Sequence, residues 1–257
     1  MSAKPGRKTC EIVERDDRAL GVPLKIRLYP IVGEKTEGIT ISDPDGFEYM
    51  DFLSGWSVTN VGYSNKAVLD AIKTQVERTL FLPLCSVSSE TVVKLAEKLI
   101  QITPGTFRKK VWFGLSGSSA GDCVYKIVPK ITGKSRMVSF YGSYHGSTMG
   151  ALSLSGHKVL SKFVGFPNVI KAPYAYCYRC PYDQSYPECD LFCVDFLENS
   201  IVKEACPPED IGGLITEPIQ SDGGDIVPPP EFLPRLEKVC KKLGMLLIDD
   251  EVKVGMG

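Results

Sequence analysis

The chain has 257 residues, of which 43% are hydrophobic and 24% charged, a composition typical of folded globular proteins. Its formal net charge of −1 at pH 7 provides no basic field to hold nucleic acid or an anionic membrane, so a small molecule is the expected partner. The N-terminus has no apolar segment of the kind a signal peptide needs, and no apolar run is long enough to cross a bilayer. We therefore expect a cytoplasmic location.

The first part of the chain predicts an arm, a strand pair and two helices. Residues 1–35 are polar and interrupted by prolines, which indicates an arm with little structure of its own. A Pro-Asp-Gly turn between β-branched and aromatic residues predicts strands at 39–41 and 47–52. Apolar residues recur at helical spacing over 66–79 and 89–102, so we expect an amphipathic helix in each.

The remainder alternates between short apolar strands and helical segments. Buried strands are expected at residues 111–114, 137–141, 211–216 and 245–248. An amphipathic helix at 232–243, with Gly244 as its C-terminal stop, precedes the last of them. This alternation predicts an α/β protein with a mostly parallel sheet covered by helices.

Polar residues follow each predicted strand, at the edge where a sheet of this kind binds its ligands. Taken alone, each group has an ordinary explanation: a tight turn, a packing aromatic, a hydrogen-bonded loop histidine or the N-cap of the next helix. Together and in this order they indicate one ligand site. The four segments are Ser116-Gly117-Ser118, Tyr144-His145-Gly146, Glu217-Pro218-Ile219-Gln220 and Asp250-Glu251-Val252-Lys253.

The chemistry of these segments suits a flat, phosphorylated pyridine. Gly117 and Ser118 open a helix, whose free N–H groups and dipole can hold a phosphate. Tyr144 can stack on a heteroaromatic ring, and Val252 can press on the other face. A carboxylate such as Asp250 keeps a pyridine nitrogen protonated, and a pyridinium stabilises a carbanion beside an amino nitrogen. Pyridoxal phosphate (PLP) combines these properties.

With Asp51-Phe52-Leu53-Ser54-Gly55 and the run at 246–249, these segments resemble the class III aminotransferases, PLP enzymes of fold type I, and most of all their 4-aminobutyrate aminotransferase-like members. The resemblance implies a mostly parallel sheet with helices on both faces, plus a partial small N-terminal domain. Residues 1–60 would form the arm and part of the small domain. Residues 61–257 would form the PLP-binding large domain, incomplete at its C-terminal end. It also implies a homodimer.

The resemblance further implies which residues hold PLP. Asp250 would pair with the ring nitrogen and His145 would lie beside the stacked Tyr144. Lys253 would replace the glutamine that usually contacts the ring hydroxyl. The complete cofactor-binding set is Ser116, Gly117, Ser118, Tyr144, His145, Asp250, Val252 and Lys253.

Catalysis would involve Asp250 together with Glu217, which would lie near the substrate. Trp56 would line the substrate pocket, the alternative being a tryptophan of the core. The implied activity is transfer of an amino group between an amino acid or ω-amino acid and a 2-oxo acid. Racemisation of an amino acid is an alternative within the family, because the same carbanion can be reprotonated from either face.

Several positions depart from the family pattern. Ser119 and Gly121 replace the usual Glu and Asn after Ser-Gly-Ser, which predicts weaker support for the phosphate loop. Pro129 falls inside the following helix, where it would cost roughly 3 kcal/mol or end the helix early. Ser147 stands where relatives specific for 4-aminobutyrate carry Arg, which argues against strict specificity for that substrate.

The lysine that forms the Schiff base in this family would lie beyond residue 257, and Lys253 follows Asp250 too closely to replace it. We therefore expect the chain alone to be inactive, and a fragment that only binds PLP or dimerises is an alternative. A nucleotide-binding oxidoreductase is a third hypothesis, but the G-x-G-x-x-G motif that it requires is absent from the sequence.

Four of the nine cysteines cluster in the pattern C-x2-C-x8-C-x3-C, at Cys177, Cys180, Cys189 and Cys193. Four thiolates can bind zinc, but the second pair has an unusual spacing and the family needs no metal. We expect reduced thiols and no metal, with structural zinc as the alternative.

Overall fold

The computed structural model describes residues 5–21, 28–163 and 165–256. The chain divides into two compact units, Met1–Lys109 and Lys110–Gly257. The domain boundary at residue 60, which was taken from the family resemblance, stays a prediction. Among the described helices, none is long and apolar enough to cross a membrane.

The first unit combines a small antiparallel sheet with helices. Its strands pair in the order β1-β2-β3, and β2 and β3 confirm the predicted strand pair. Helices α3 and α4 confirm the two predicted amphipathic helices, and the Asn65 side chain caps α3 by accepting from the N–H groups of Ala67 and Val68. The elements are α1 (Arg7–Ala19), β1 (Lys35–Glu37), β2 (Thr40–Ser42), β3 (Glu48–Met50), α2 (Ser54–Ser57), α3 (Lys66–Arg78) and α4 (Glu90–Ile102).

Helix α1 shows that the expectation of little structure in residues 1–35 was wrong. Its N-terminus is capped from a distant turn, where the Asp45 carboxylate accepts from the N–H groups of Lys8 at 3.1 Å and Thr9 at 2.8 Å. The Thr9 hydroxyl is buried and donates to Asp43 at 3.3 Å. Because the capping residue follows Thr9 by 36 positions, the local sequence holds no start signal for this helix.

The second unit contains a parallel sheet with the strand order β5-β4-β6-β7, as the alternating pattern predicted. Helix α9 has the predicted bounds, and Gly244, with a φ of 63°, is its C-cap. The elements are α5 (Gly117–Thr132), β4 (Arg136–Phe140), α6 (Met149–Leu154), β5 (Val169–Ala172), α7 (Phe192–Phe196), α8 (Val202–Ala205), β6 (Ile211–Thr216), α9 (Phe232–Leu243) and β7 (Leu246–Asp249).

The strands differ from the prediction in two places. Residues 111–114 form no strand, and Trp112 and Phe113 are 58% and 42% exposed, so the expected buried strand was wrong. Apolar composition is not sufficient there, because an extended segment also needs a neighbouring strand for its backbone groups. Strand β5 was not expected, since Lys171 interrupts its short apolar run.

The core of the second unit covers both faces of the sheet. Strand β6 is buried along its whole length. Leu214 packs on one face with Phe140 and Phe232, and its neighbour Ile215 packs on the other with Met137. Side chains that alternate along a strand point to opposite faces, and each buried one contributes about 1.5–3 kcal/mol, so helices on both sides stabilise this strand.

Helix α5 continues through Pro129 to Thr132, so of the two predicted effects of this proline the early end was wrong, while the energetic cost stays a prediction. The helix ends instead at Gly133, whose φ of 72° lies in the left-handed region and whose N–H donates to the carbonyl oxygen of Pro129. Pro129 lies in the last turn, where a missing N–H removes a single intrahelical bond.

Candidate active site

The carboxyl ends of neighbouring parallel strands bring the predicted segments together. Strand β6 lies between β4 and β7, and the three ends lead to His145, Glu217 and Asp250. The N-terminus of α5 lies at the same edge, because a Cβ added to Gly117 would lie 3.6 Å from Cγ2 of Val252. The structure thus gathers all four predicted segments at one place.

A buried hydrogen bond joins His145 to Asp250. The distance from Nδ1 to Oδ2 is 2.7 Å, and the side chains are 0% and 16% exposed. The other oxygen of Asp250 accepts from the N–H of Val252 at 3.1 Å, and the backbone N–H of Asp250 donates to the Thr216 carbonyl at 2.8 Å. Within the described residues, Nε2 of His145 has no partner. The carboxylate is therefore fixed in position while part of it stays accessible.

Glu217 is a second buried carboxyl group at this edge, only 4% exposed. It accepts from the N–H groups of Ser221 at 3.2 Å and Tyr144 at 3.4 Å. Burial is the main reason that the pKa of Glu217 is raised to about 7; the Ser221 N–H opposes this shift and the charge of Asp250 adds to it. Near neutral pH this group can therefore take up or release a proton.

The N-terminus of α5 offers backbone donors to an anion. Ser116 caps the helix, its Oγ accepting from the N–H of Ser119 at 3.2 Å. In the described part of the chain, the N–H groups of Gly117 and Ser118 have no acceptor. The Ser118 hydroxyl accepts from the N–H of Ser147 at 3.1 Å, which fastens α5 to the loop after β4. Free donors at a helix start suit a phosphate.

Comparison with known proteins identifies the family of this chain. Residues 25–257 match the family model described as "Aminotransferase class-III". The chain belongs to the class III aminotransferases. It is 35% identical to the alanine/serine racemase of Pyrococcus horikoshii over 98% of this chain and 55% of the racemase. It is 31% identical to the 4-aminobutyrate aminotransferase GabT of Escherichia coli over 96% of this chain and 57% of that enzyme.

Solved structures agree with this family and fold. The omega transaminase of Pseudomonas jessenii, in complex with PMP, matches with a TM-score of 0.86 and 31% identity over 96% of this chain and 57% of that one. The chain thus spans about half the length of the relatives it matches. The class III family uses PLP and has the fold type I architecture, so these two predictions are confirmed. The oxidoreductase hypothesis was wrong.

The residues at the edge fit this cofactor. The unpartnered N–H groups of Gly117 and Ser118 suit its phosphate, and the fixed, partly accessible carboxylate of Asp250 suits its ring nitrogen. Tyr144 and Val252 are 41% and 74% exposed, so both side chains are available to a ring. Stacking by these two residues stays a prediction.

Gly121 departs from the class III pattern for a visible reason. A Cβ at this position would lie 2.7 Å from both the Ala151 Cβ and the His145 carbonyl oxygen. Helix α5 and the loop after β4 are too close here for any larger residue. The other departure, Ser119, places its hydroxyl 3.1 Å from Ser116 Oγ at the helix cap. Weaker support for the phosphate loop stays a prediction.

Lys253 is engaged with the neighbouring loop. Its Nζ donates to Oδ1 of Asp225 at 2.6 Å and to Oγ of Ser221 at 3.3 Å. These bonds tie the segment after β7 to the segment after β6. The predicted contact of Lys253 with the ring hydroxyl would need this amine to change partners, and it stays a prediction.

Trp56 lies in the first unit and is 63% exposed, so the alternative of a core tryptophan was wrong. It sits in a turn with left-handed backbone, at a φ of 63°. Asp51 holds this turn by accepting from the Gly55 N–H at 2.6 Å and from the Tyr63 hydroxyl at 2.8 Å. A role for Trp56 in the substrate pocket stays a prediction.

Two residues to which the sequence assigned no role support the turn after β6. The buried Tyr174 hydroxyl donates to the carbonyl oxygen of Glu217 at 2.9 Å. Gln220 is 1% exposed, and its Nε2 donates to the Tyr141 carbonyl at 3.0 Å. A buried polar side chain needs such partners, but the sequence does not show that either residue is buried.

The clustered cysteines line one small cavity together with Tyr182. All four are free thiols, of which Cys177 is exposed and the others are half-buried. Burial is the main cause that raises the pKa of Cys193 to about 11. Over the residues that the structure describes, no group of three or more His, Cys, Asp or Glu side chains is placed to hold a metal ion. Reduced thiols without a metal stay a prediction.

Proposed function

We propose that this chain forms the cofactor-binding part of a PLP-dependent aminotransferase, which moves an amino group between an amino acid or ω-amino acid and a 2-oxo acid. The buried hydrogen bond between His145 and Asp250, beside the start of α5, carries the proposal. When bound, PLP supplies the electron sink for a carbanion next to an amino nitrogen.

Each residue at the edge then has a defined task. The N–H groups of Gly117 and Ser118 bind the phosphate, helped by the helix dipole. Asp250 would accept a hydrogen bond from the protonated ring nitrogen and so keep it protonated, and His145 holds that carboxylate in place. Glu217, with a pKa of about 7, can hold or release a proton near the substrate.

A decisive test of the cofactor site is a PLP titration followed by absorbance. We expect the wild-type chain to bind PLP and Asp250→Asn to bind it at least about tenfold more weakly, because the negative charge that pairs with the protonated ring nitrogen is lost. The matched control is Asp210→Asn, which changes an exposed carboxylate next to the opposite end of β6 and should bind as the wild type does. Equal affinity of Asp250→Asn and wild type would contradict the proposal.

Amino-acid racemisation is a second candidate, because relatives with this activity match the chain well. They include the leucine/methionine racemase of Thermococcus litoralis at 36% identity and the isoleucine 2-epimerase of Lentilactobacillus buchneri at 34%. A racemase needs no 2-oxo acid. Incubating the PLP-loaded protein with L-alanine alone, then with added 2-oxoglutarate, separates the two: D-alanine in the first sample indicates racemisation, and glutamate in the second indicates transamination.

A third outcome is PLP binding without turnover. Borohydride reduction followed by mass spectrometry tests this directly. Turnover in either assay, or a stoichiometric PLP adduct confined to one lysine, would contradict this outcome.

We also propose a cytoplasmic homodimer that works on small molecules and uses neither nucleic acid nor a membrane. The net charge of −1 supports the absence of polyanionic partners. Sedimentation at several protein concentrations tests the dimer, and a single species with the mass of one chain at all of them would contradict it.

A further inference from the structure

The amine of Lys171 is surrounded by four acceptors at β5. Its Nζ donates to Oγ of Ser139 at 2.7 Å. It also donates to the carbonyl oxygens of Ser153 at 2.8 Å, Leu154 at 2.7 Å and Ser155 at 2.9 Å. These three carbonyls end helix α6, and the last carbonyls of a helix have no partner inside it. Lys171 therefore closes the end of α6 and ties it to β4.

This arrangement has a cost that a surface lysine would avoid. Burial lowers the pKa of Lys171 to about 7, since a half-buried ammonium loses part of its hydration. The four acceptors give the hydrogens of this amine partners inside the protein in place of water. Lys171 therefore acts as a structural clamp between the end of α6 and β4, and differs in this from an exposed surface lysine.

Ser155 connects this clamp to the candidate active site. While its carbonyl oxygen accepts from Lys171, its Oγ accepts from the backbone N–H of His145 at 2.8 Å. The same hydroxyl lies 2.9 Å from the Gly146 carbonyl oxygen. His145 in turn holds Asp250 through Nδ1. Three hydrogen bonds, joined through the covalent structure of Ser155 and His145, therefore connect Lys171 to the carboxylate assigned to the cofactor ring.

We propose that Lys171 is a positioning residue for the cofactor site: by fixing the end of α6 it sets Ser155, and through Ser155 it holds His145 against Asp250. The inference rests on the proposed function, in which Asp250 meets the ring nitrogen. Lys171 itself transfers no proton and touches no substrate.

The two histidines of the chain make this inference measurable. Protein labelled with 15N-histidine gives imidazole signals from His145 and His157 alone, and a His157→Gln variant assigns them. We expect Lys171→Met to shift or broaden the His145 signals and to weaken PLP binding about tenfold. Lys158 and Lys171 line one surface cavity, and Lys158 is exposed. As the control, Lys158→Met should leave both measurements unchanged. Unchanged His145 signals and PLP affinity in folded Lys171→Met would overturn the proposal.

Ser155→Ala separates positioning from a general loss of stability. It removes the hydroxyl that accepts from His145 but keeps the carbonyl oxygen that Lys171 holds. We expect the same change of the His145 signals with a smaller loss of thermal stability. Unchanged His145 signals in Ser155→Ala would overturn the proposal. This test remains decisive if Lys171→Met does not fold. If the wild type binds no PLP, the proposed function fails, while the His145 signals still decide the role of Lys171.

Discussion

The two compact units differ in how far their apolar residues are buried. In the second unit, every residue of β6 is buried. In the first unit, helices α3 and α4 contain no buried residue, and the apolar positions Val68, Ile72 and Val76 are 47%, 54% and 50% exposed. Both kinds of segment are recognised in the sequence by their apolar spacing. The difference teaches that spacing predicts the element, whereas burial depends on what packs against it.

Hydrogen bonds from carboxylates hold the turns of the first unit, whereas the second unit has a buried apolar core. The side chain of Asp43 accepts from the N–H groups of Asp45 and Phe47 at 3.0 and 2.8 Å. Asp51 does the same for Leu53 and Gly55 at 2.7 and 2.6 Å. Carboxylates that hold turns stabilise local backbone, so we expect mutations in the first unit to act locally and those in the second to act on the whole sheet.

The sharpest test of this contrast uses the same substitution in both units. Ile211→Ala removes a fully buried side chain from β6 and should lower the free energy of unfolding by about 2–5 kcal/mol. Ile72→Ala removes a half-exposed side chain from α3 and should cost less than about 1 kcal/mol. Urea denaturation followed by circular dichroism measures both values. Similar losses in the two variants would break the comparison.

Glu217 should make the stability of the second unit depend on pH. Its pKa is raised from 4.5 to about 7 in the folded protein, so the folded state binds more protons than the unfolded chain between these values. The free energy of unfolding should therefore fall as the pH rises through this window, by at most about 3 kcal/mol, and level off above it.

Glu217→Gln should remove this part of the pH dependence, which urea titrations at a series of pH values can measure. Glu209→Gln, an exposed neighbour of the opposite end of β6, serves as the control and should follow the wild type. Parallel curves for the wild type and Glu217→Gln would show that Glu217 keeps an ordinary affinity for protons.

The smallest effect is expected at the cap of α1. The N–H of Thr9 is the main reason that the pKa of Asp45 lies below its usual range. Asp45→Ala should speed amide hydrogen exchange in the first turn of α1 while leaving exchange in β6 unchanged, because the cap acts on one helix. Asp45→Asn keeps an acceptor oxygen and should have a weaker effect. Faster exchange throughout the chain would contradict a local role.

The sequence predicts most of this architecture wherever local pattern and tertiary environment agree. Helix α9 and strand β6 have their predicted bounds, because amphipathic spacing and a continuous apolar run both match their burial. Residues 111–114 show the limit, since three apolar residues do not form a strand without a paired neighbour. Helix α1 shows another, because its cap comes from Asp45.

The candidate site was predictable in its members but not in its support. Strand ends in a parallel sheet meet at one edge, so the convergence of His145, Glu217 and Asp250 follows from the order of the segments. The residues that support these three side chains through hydrogen bonds cannot be predicted in this way. Lys171 lies in β5, and because it interrupts the apolar run of that strand, the sequence did not predict the strand. The Tyr174 hydroxyl donates to the Glu217 carbonyl oxygen from a loop 43 positions away in the sequence.

The close approach at Gly121 has a mechanical consequence. Ala151 and the His145 carbonyl occupy the space that a side chain at residue 121 would need. No room therefore remains between α5 and the loop after β4. In Gly121→Ala the added methyl group should push α5 away from the loop after β4, and so shift the N–H groups proposed to bind phosphate relative to Asp250. The spacing between this helix and this loop thus depends on the absence of a side chain at residue 121.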